Sequence, residues 1–272
     1  MRVGFIGLGS QGGPMARRIV EAGHPTTLWA RRPAALEPFA DTAAAVADSP
    51  ASLAAASDLV CVCVVDDAGV AEVVGEVLSG LGAGGIVAVH STVHPDTCRR
   101  LAATAATREV SLVDAPVSGG GVAAAAVRLL VMVGGEADTV DRCRPVFAAY
   151  ADPVVHMGPV GAGQLTKLLN NVLFTANLAT AAGTLALGRQ LDVDPGRLAE
   201  VLGHGTANSF ALGRIADAGG TLDRIAAHAG GLLRKDVRLV TEVAGEAGAG
   251  TGAVLAAAET ALDLMKVGPH GA

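Results

Sequence analysis

Charge, aromatic rings and cysteine are all scarce in this chain of 272 residues, and each scarcity removes a class of function. Charged residues make up 17% and the net charge is -6, with no basic run beyond arginine pairs. A surface that tracks nucleic-acid phosphates is therefore not expected. Aromatic residues amount to 3%, so the core has to be built from Ala, Val and Leu. Four cysteines do not make a disulfide framework in a chain of this size. Cys61 and Cys63 alternate along an apolar run and read as small buried hydrophobes; a metal site would want further Cys or His at short spacing. No apolar run reaches the ~18 residues a membrane span needs without Gly or a charge. The opening "MRVGFIGLG" turns glycine-rich too soon for a signal peptide. The expectation is a soluble protein in a reducing, cytoplasmic setting, with no bound metal, membrane or nucleic acid.

What is present is apolar and glycine-rich: 51% hydrophobic residues and 36 glycines. That is a globular composition, long enough for one large domain or two ordinary ones. Short β-rich runs at Arg2–Ile6, Pro25–Ala30, Leu59–Val65, Gly85–His90, Val110–Asp114, Leu129–Val133 and Val154–Met157 alternate with helical stretches. Asp67, Pro95 and Asp138 stand near helix starts, Gly23 and Gly80 near ends. Such alternation predicts a mostly parallel sheet with helices on both faces. After about residue 160 the strand signal stops. One long helical pattern runs from Ala162 to Arg189, followed by helical segments near 195–203, 207–218, 231–247 and 252–266. The expected organisation is an α/β dinucleotide-binding domain over 1–160 and an all-α domain over 161–272, joined by the long helix. The last residues, "KVGPHGA", read as a frayed tail.

The first strand runs into "GLGSQG", which sets Gly7, Gly9 and Gly12 at G-x-G-x-x-G spacing before a helix. Glycines there allow a tight turn, close approach of a pyrophosphate to backbone N–H groups, and close helix–strand packing. Leu8, Ser10 and Gln11 complete that loop. An NAD site would place Asp or Glu at the end of the second strand; the chain reads "WARRP" instead. Arg31 and Arg32 can neutralise a 2′-phosphate, which favours NADP(H) over NAD(H), or they form a solvated pair. Val64, Val65 and Gly69 flank the adenosine side, with Asp67 read as a helix cap. Ser91 and Thr92 in "HSTVHP" hydrogen-bond the cofactor or simply start a helix. In "DAPVSGG", Ser118, Gly119 and Gly120 offer a hydroxyl and backbone N–H groups as a carboxylate cradle, or make an ordinary turn. In "GQLTKLLNNVLF", Lys167 and Asn171 lie four apart on an otherwise apolar helix.

Taken together and in order, "GFIGLGSQGGPMA", "ST" before a proline, "DAPVSGG", "MVGG", "GAGQLTKLLNN" and "LLRKD" closely resemble the β-hydroxyacid dehydrogenase family, which includes 3-hydroxyisobutyrate dehydrogenase, over nearly the whole chain. The resemblance implies a Rossmann domain, a long interdomain helix and an α-helical C-terminal domain that builds homodimers or homotetramers. It implies Lys167 as catalytic lysine, Asn171 as its substrate-orienting partner, and Ser118, Gly119 and Gly120 as the carboxylate site. Lys235 would reach the nicotinamide, braced by Asp236. Hydride reduction of a carbonyl puts negative charge on oxygen, which a nearby ammonium stabilises and protonates. The implied reaction interconverts a small β-hydroxyacid and its semialdehyde or keto form. An imine reductase-like enzyme and a non-catalytic NADP-binding regulator are the alternatives, and relatives of both kinds typically lack this lysine. The chain departs from the family pattern at Gln11, at Val64 and Val65, and at Val127 and Arg128, which stand where Gly and Thr are expected. His228 falls where an aromatic commonly packs.

Overall fold

Runs of apolar residues that no single face could hide become strands buried on both sides. In the computed structural model, which describes residues 1–250 and 252–266, these strands form one nine-stranded sheet. In chain order its elements are β1 (Val3–Ile6), α1 (Gly12–Glu21), β2 (Thr26–Trp29), a 3-10 helix (Pro33–Phe39), β3 (Ala45–Val46), α2 (Pro50–Ala55), β4 (Leu59–Val62) and α3 (Asp67–Gly80). They continue with β5 (Ile86–Val89), α4 (Pro95–Ala106), β6 (Ser111–Asp114), β7 (Val117–Ser118), α5 (Gly120–Ala125), β8 (Leu129–Gly134), α6 (Ala137–Phe147) and β9 (Ala151–Gly158). The strand order is β3-β2-β1-β4-β5-β6-β8-β7, with β9 paired to β8. The first six of these run parallel; β8 is antiparallel to β6 and β7 and parallel to β9.

β1, β4 and β5 have no exposed residue, as expected for strands covered by helices on both faces. Their side chains alternate between two cores. Phe5, Cys61 and Ala88 pack on one face of the sheet, Ile6, Val62 and Val89 on the other. The chain order reverses at β1, which is flanked by β2 and β4, so the carboxyl ends of β1 and β4 form the edge where such sheets bind ligands.

Contacts divide the chain into two compact units, Met1–Lys167 and Leu168 onward. The division lies inside α7 (Ala162–Gln190), several residues beyond the 160/161 line read from the end of the strand signal. The reason is local: the first turn of α7 belongs to the sheet. A Cβ at Gly163 would collide with backbone and side chain of Met132 and Asp114. The second unit comprises the remainder of α7 with α8 (Pro195–His204), α9 (Phe210–Asp217), α10 (Asp223–Glu246) and α11 (Gly252–Leu264). Their core includes Leu168, Val172, Leu212, Ile215, Val237 and Leu262.

Several elements differ from the sequence reading. The short pieces β3, α2, β7 and α5 carry too few residues to show a period. α10 begins eight residues before the expected 231, because Ile225 and Leu233 bury on one face and override the break suggested by Gly230 and Gly231. Asp66, not Asp67, caps α3: its carboxylate accepts from Gly69 N at 2.9 Å. Val127 adopts φ 56, the left-handed conformation that the family's usual glycine takes without strain, at a cost of roughly 1–2 kcal/mol. Of the expected frayed tail, residues 267–272 lie outside the described residues.

An imidazole is buried against the main core of the first unit. His90, fully enclosed, donates from Nδ1 to Ala115 O at 2.7 Å and accepts from the Tyr150 hydroxyl at 3.2 Å. Because a carbonyl only accepts, Nδ1 carries a proton. Burial pushes its pKa down to about 4. The unfolded chain therefore binds a proton near pH 6.5 that the folded chain refuses until about pH 4, and stability falls as pH drops through that window. Between pH 7 and pH 5 the loss attributable to His90 is expected to be about 2 kcal/mol. Urea unfolding at both pH values checks this, and a His90→Gln variant should lack that part of the slope.

Candidate active site

The glycine loop meets its structural requirements residue by residue. Gly7 has φ +100, and a Cβ there would strike the Cys63 carbonyl at the end of β4. A Cβ on Gly12 would strike Gly7 O. Gly9, in contrast, faces open space. Gly7 and Gly12 are thus required by the protein's own packing, whereas the space beside Gly9 is free for a ligand. Gln11 sits at the N-cap of α1 without capping it and instead directs its amide to Met15 Sδ at 3.5 Å. The first turn of α1 holds no acidic side chain. Leu8 is partly buried and Ser10 exposed. A helix N-terminus with no side-chain cap beside an open glycine suits a pyrophosphate, so the residues present fit a dinucleotide.

Past β2, Arg31 and Arg32 are both exposed, and Arg31 donates to the Glu72 carboxylate on α3 at 2.9 Å. Val64 N donates to Ser91 Oγ at 2.8 Å, so the ends of β4 and β5 are tied together and the Ser91 hydroxyl already has a protein partner. Val65 is largely exposed, while Gly69 lies in the capped first turn of α3. Asp67 accepts from His94 N at 2.9 Å and from Thr97 Oγ1 at 2.7 Å, pinning the segment that carries Thr92.

The loop after β6 lies against the glycine loop: a Cβ on Gly121 would collide with Ser10 O. Gly119 and Gly120 have φ +128 and +75, and Gly120 faces open space. Ser118, half-buried at the end of β7, precedes them. Two loops that are a hundred residues apart in sequence therefore meet at one edge of the sheet. Arg128 is exposed.

Sequence reasoning missed what holds these loops. Asp114, fully buried, accepts from Gly161 N at 2.6 Å and from Gln164 N at 2.7 Å at the start of α7. Gln164, equally buried, accepts from Val93 N at 3.0 Å and donates to Ser91 O at 2.8 Å. Burial pushes the Asp114 pKa up, against the pull of the two amides. The signal for Gln164 was present in "GQLTKLLNN", where it is one more polar residue in an apolar helix.

Lys167, one turn beyond Gln164, is 8% exposed. In the second unit Asn171 forms a short network of its own. Asn170 Nδ2 donates to Asn171 Oδ1 at 3.0 Å, and Asn171 Nδ2 donates to Asp236 Oδ2 at 2.6 Å. Lys235 Nζ stands 3.3 Å from Asp236 Oδ1. Asp236, expected to brace Lys235 alone, thus holds Asn171 as well. His228 is exposed and bonds back to Arg224 O.

Comparison with known proteins gives the family. The NAD binding domain of 6-phosphogluconate dehydrogenase matches residues 2–158. The NAD-binding domain of NADP-dependent 3-hydroxyisobutyrate dehydrogenase matches residues 161–270. The chain is 30% identical to the NAD-dependent L-serine dehydrogenase of Pseudomonas aeruginosa, covering 89% of this chain and 85% of that one. It is 34% identical to the 3-hydroxyisobutyrate dehydrogenase of the same organism, over 77% of this chain and 72% of that one. Among solved structures, the Mycobacterium tuberculosis 3-hydroxyisobutyrate dehydrogenase with L-serine superposes with a TM-score of 0.87 at 27% identity, covering 98% of this chain and 94% of that one. With a dinucleotide loop that fits its ligand, matching models over both parts and named dehydrogenases among its relatives, the chain belongs to the β-hydroxyacid dehydrogenase family and is an NAD(P)-dependent hydroxyacid dehydrogenase.

Proposed function

We propose that the protein interconverts a small β-hydroxyacid and its semialdehyde or keto form, prefers NADP(H) to NAD(H), and uses Lys167 to move the proton. The observation that carries this reading is the burial of Lys167 one turn into a helix tied to the sheet's ligand-binding edge. A buried ammonium is costly, and chemistry at that point gives a reason for its retention. Bound nicotinamide supplies or accepts the hydride. In reduction, Lys167 stabilises the oxygen as it gains charge and donates its proton there; in oxidation, its neutral amine takes the proton from the hydroxyl. Asn171, held by Asp236, orients the substrate. Ser118 with the N–H groups of Gly119 and Gly120 receives the carboxylate, and Lys235 meets the nicotinamide end. Gly7 to Gly12 hold the pyrophosphate, with Val64, Val65, Gly69, Ser91 and Thr92 lining the cofactor.

Lys167→Ala should lower kcat by about a thousandfold, within the range for a lost general acid–base group, and leave NADPH affinity within about threefold. Steady-state kinetics on a panel of 3-hydroxyisobutyrate, glycerate, tartronate semialdehyde, glyoxylate, succinic semialdehyde and serine reads this. An active Lys167→Ala enzyme would refute the assignment.

The cofactor preference rests on Arg31 and Arg32 and on the missing acid at the end of β2. The relatives include both an NADP-dependent type and an NAD-dependent enzyme, so the arginines carry the argument. Arg31→Ala is expected to weaken NADPH about tenfold in a fluorescence titration and to leave NADH nearly unchanged. Tighter binding of NADH than NADPH by the parent protein would overturn the preference.

A homodimer or homotetramer through the C-terminal helices completes the reading. Leu187, Leu191, Val201 and Phe210 in the second unit each leave more than half of their surface exposed. Sedimentation velocity should give a species of at least twice the chain mass; a monomer at micromolar concentration counts against this. The four unpaired cysteines support a cytoplasmic setting.

A further inference from the structure

We infer that Asp114 and Gln164 are positioning residues, a buried clamp that fixes where Lys167 stands relative to the carboxylate cradle. The inference rests on Lys167 as the proton-transferring group. Both clamp residues are fully enclosed, and both are polar in an interior that is otherwise nearly all aliphatic. Asp114 ends β6, four residues before Ser118 in the same loop. Its two carboxylate oxygens are divided between Gly161 N and Gln164 N, so one side chain holds the last residue before α7 and the first turn of α7 itself. Lys167 is three residues further along that helix. A rotation of α7 about its axis, or a slide along it, would break at least one of the two bonds.

Gln164 adds the second fixed point. Its carbonyl oxygen takes Val93 N and its amide gives to Ser91 O, which flank Thr92. Gly163 completes the fit by letting the helix backbone rest on Met132 and Asp114, where any side chain would collide. The same clamp thus sets three things: the position of Lys167 on its helix, the start of the loop carrying Ser118 to Gly120, and the backbone on either side of Thr92. A helix start needs one capping carboxylate at most, and Asp114 already supplies it. Gln164 spends its own hydrogen bonds on the β5 loop, which a cap does not require. Acid–base transfer depends on donor and substrate oxygen being held to a fraction of an ångström, and a displacement of about 1 Å costs on the order of a hundredfold in rate.

The test is Gln164→Leu, similar in size and without hydrogen bonds, assayed with the acid of the panel that turns over fastest. We expect kcat to fall tenfold or more, KM to change less than about threefold, and the D2O effect on kcat to rise as proton transfer becomes limiting. Far-UV circular dichroism and NADPH binding report that the chain is folded. If Gln164→Leu does not fold, Gln164→Glu is read the same way, since it keeps the acceptor for Val93 and loses the donor to Ser91. A folded variant with kcat within twofold of the parent overturns the clamp, as does a lowered kcat with an unchanged D2O effect, which marks a merely structural role. Lys167→Ala run alongside separates the two readings. An active Lys167→Ala refutes the proton donor; an inactive Lys167→Ala beside a fully active Gln164→Leu refutes the clamp alone.

Discussion

A carboxylate with no exposed surface, Asp114, anchors the chemical edge of the first unit. Burying such a group is unfavourable by several kcal/mol unless its oxygens are hydrogen-bonded. Here the compensation comes from two amides at a helix start, where the partial positive charge of the helix end adds to the hydrogen bonds. The compensation is incomplete, since burial still wins and pushes the pKa up. The close approach of the backbone that supplies those amides also restricts the neighbouring geometry. Gly134, Gly161 and Gly163 surround the carboxylate or its amides, and any side chain at Gly134 or Gly163 would strike Asp114 itself.

The same economy of polar groups runs through the interior. Charged residues are few in the chain, and among the described residues the buried polar ones gather at the carboxyl ends of the strands and along α7. His90, Ser91, Asp114, Gln164, Lys167 and Thr175 lie there, and Asp236 on α10 is bonded to Asn171 of α7. Elsewhere the cores are Val, Leu, Ile and Ala, whose packing needs no directional bond. Buried polar atoms demand partners at fixed distances, so each one restricts its surroundings more than an aliphatic side chain does. Directional constraints are therefore concentrated at these few positions, and the remainder of the fold is left to shape and hydrophobic burial.

Much of the sheet was legible in the sequence because buried parallel strands and amphipathic helices have different periods. The runs VGFI, LVCV and IVAV read as strands and are strands. The glycine loop was legible for the same local reason, since its role depends on three glycines within six residues. What the sequence hid was contact over distance. Asp114 reads as the end of a strand, and its bonds to Gly161 and Gln164 span 47 and 50 positions. Asp236 reads as a neighbour of Lys235, yet its shorter bond is to Asn171, 65 positions away. Ser91 reads as a partner for the cofactor or a helix start, and its Oγ accepts from Val64 N, 27 positions away. Val127 was visible as a departure from the family pattern, but only the backbone reveals that it sits at positive φ, so that the glycine it replaces had a conformational purpose.

The cofactor end illustrates the limit of reading one position at a time. The rule that an acid at the end of β2 selects NAD treats that strand alone. In the fold an acid from another element reaches the first arginine: Glu72, from the first half of α3, bonds to Arg31. Any 2′-phosphate that uses Arg31 has to compete with this carboxylate for the guanidinium. Both members of the pair are more than half exposed, so the pair is worth about 0–1 kcal/mol. A charge-assisted bond from guanidinium to phosphate is worth about 1.5–3 kcal/mol. On the proposed reading the difference leaves roughly 1–2 kcal/mol in favour of the phosphate, which corresponds to about a tenfold preference and not to exclusion of NAD. Arg32, exposed beside it, adds attraction without changing that order. In the proposed reading the two arginines tilt the choice of cofactor toward NADP(H), while Glu72 keeps the tilt moderate.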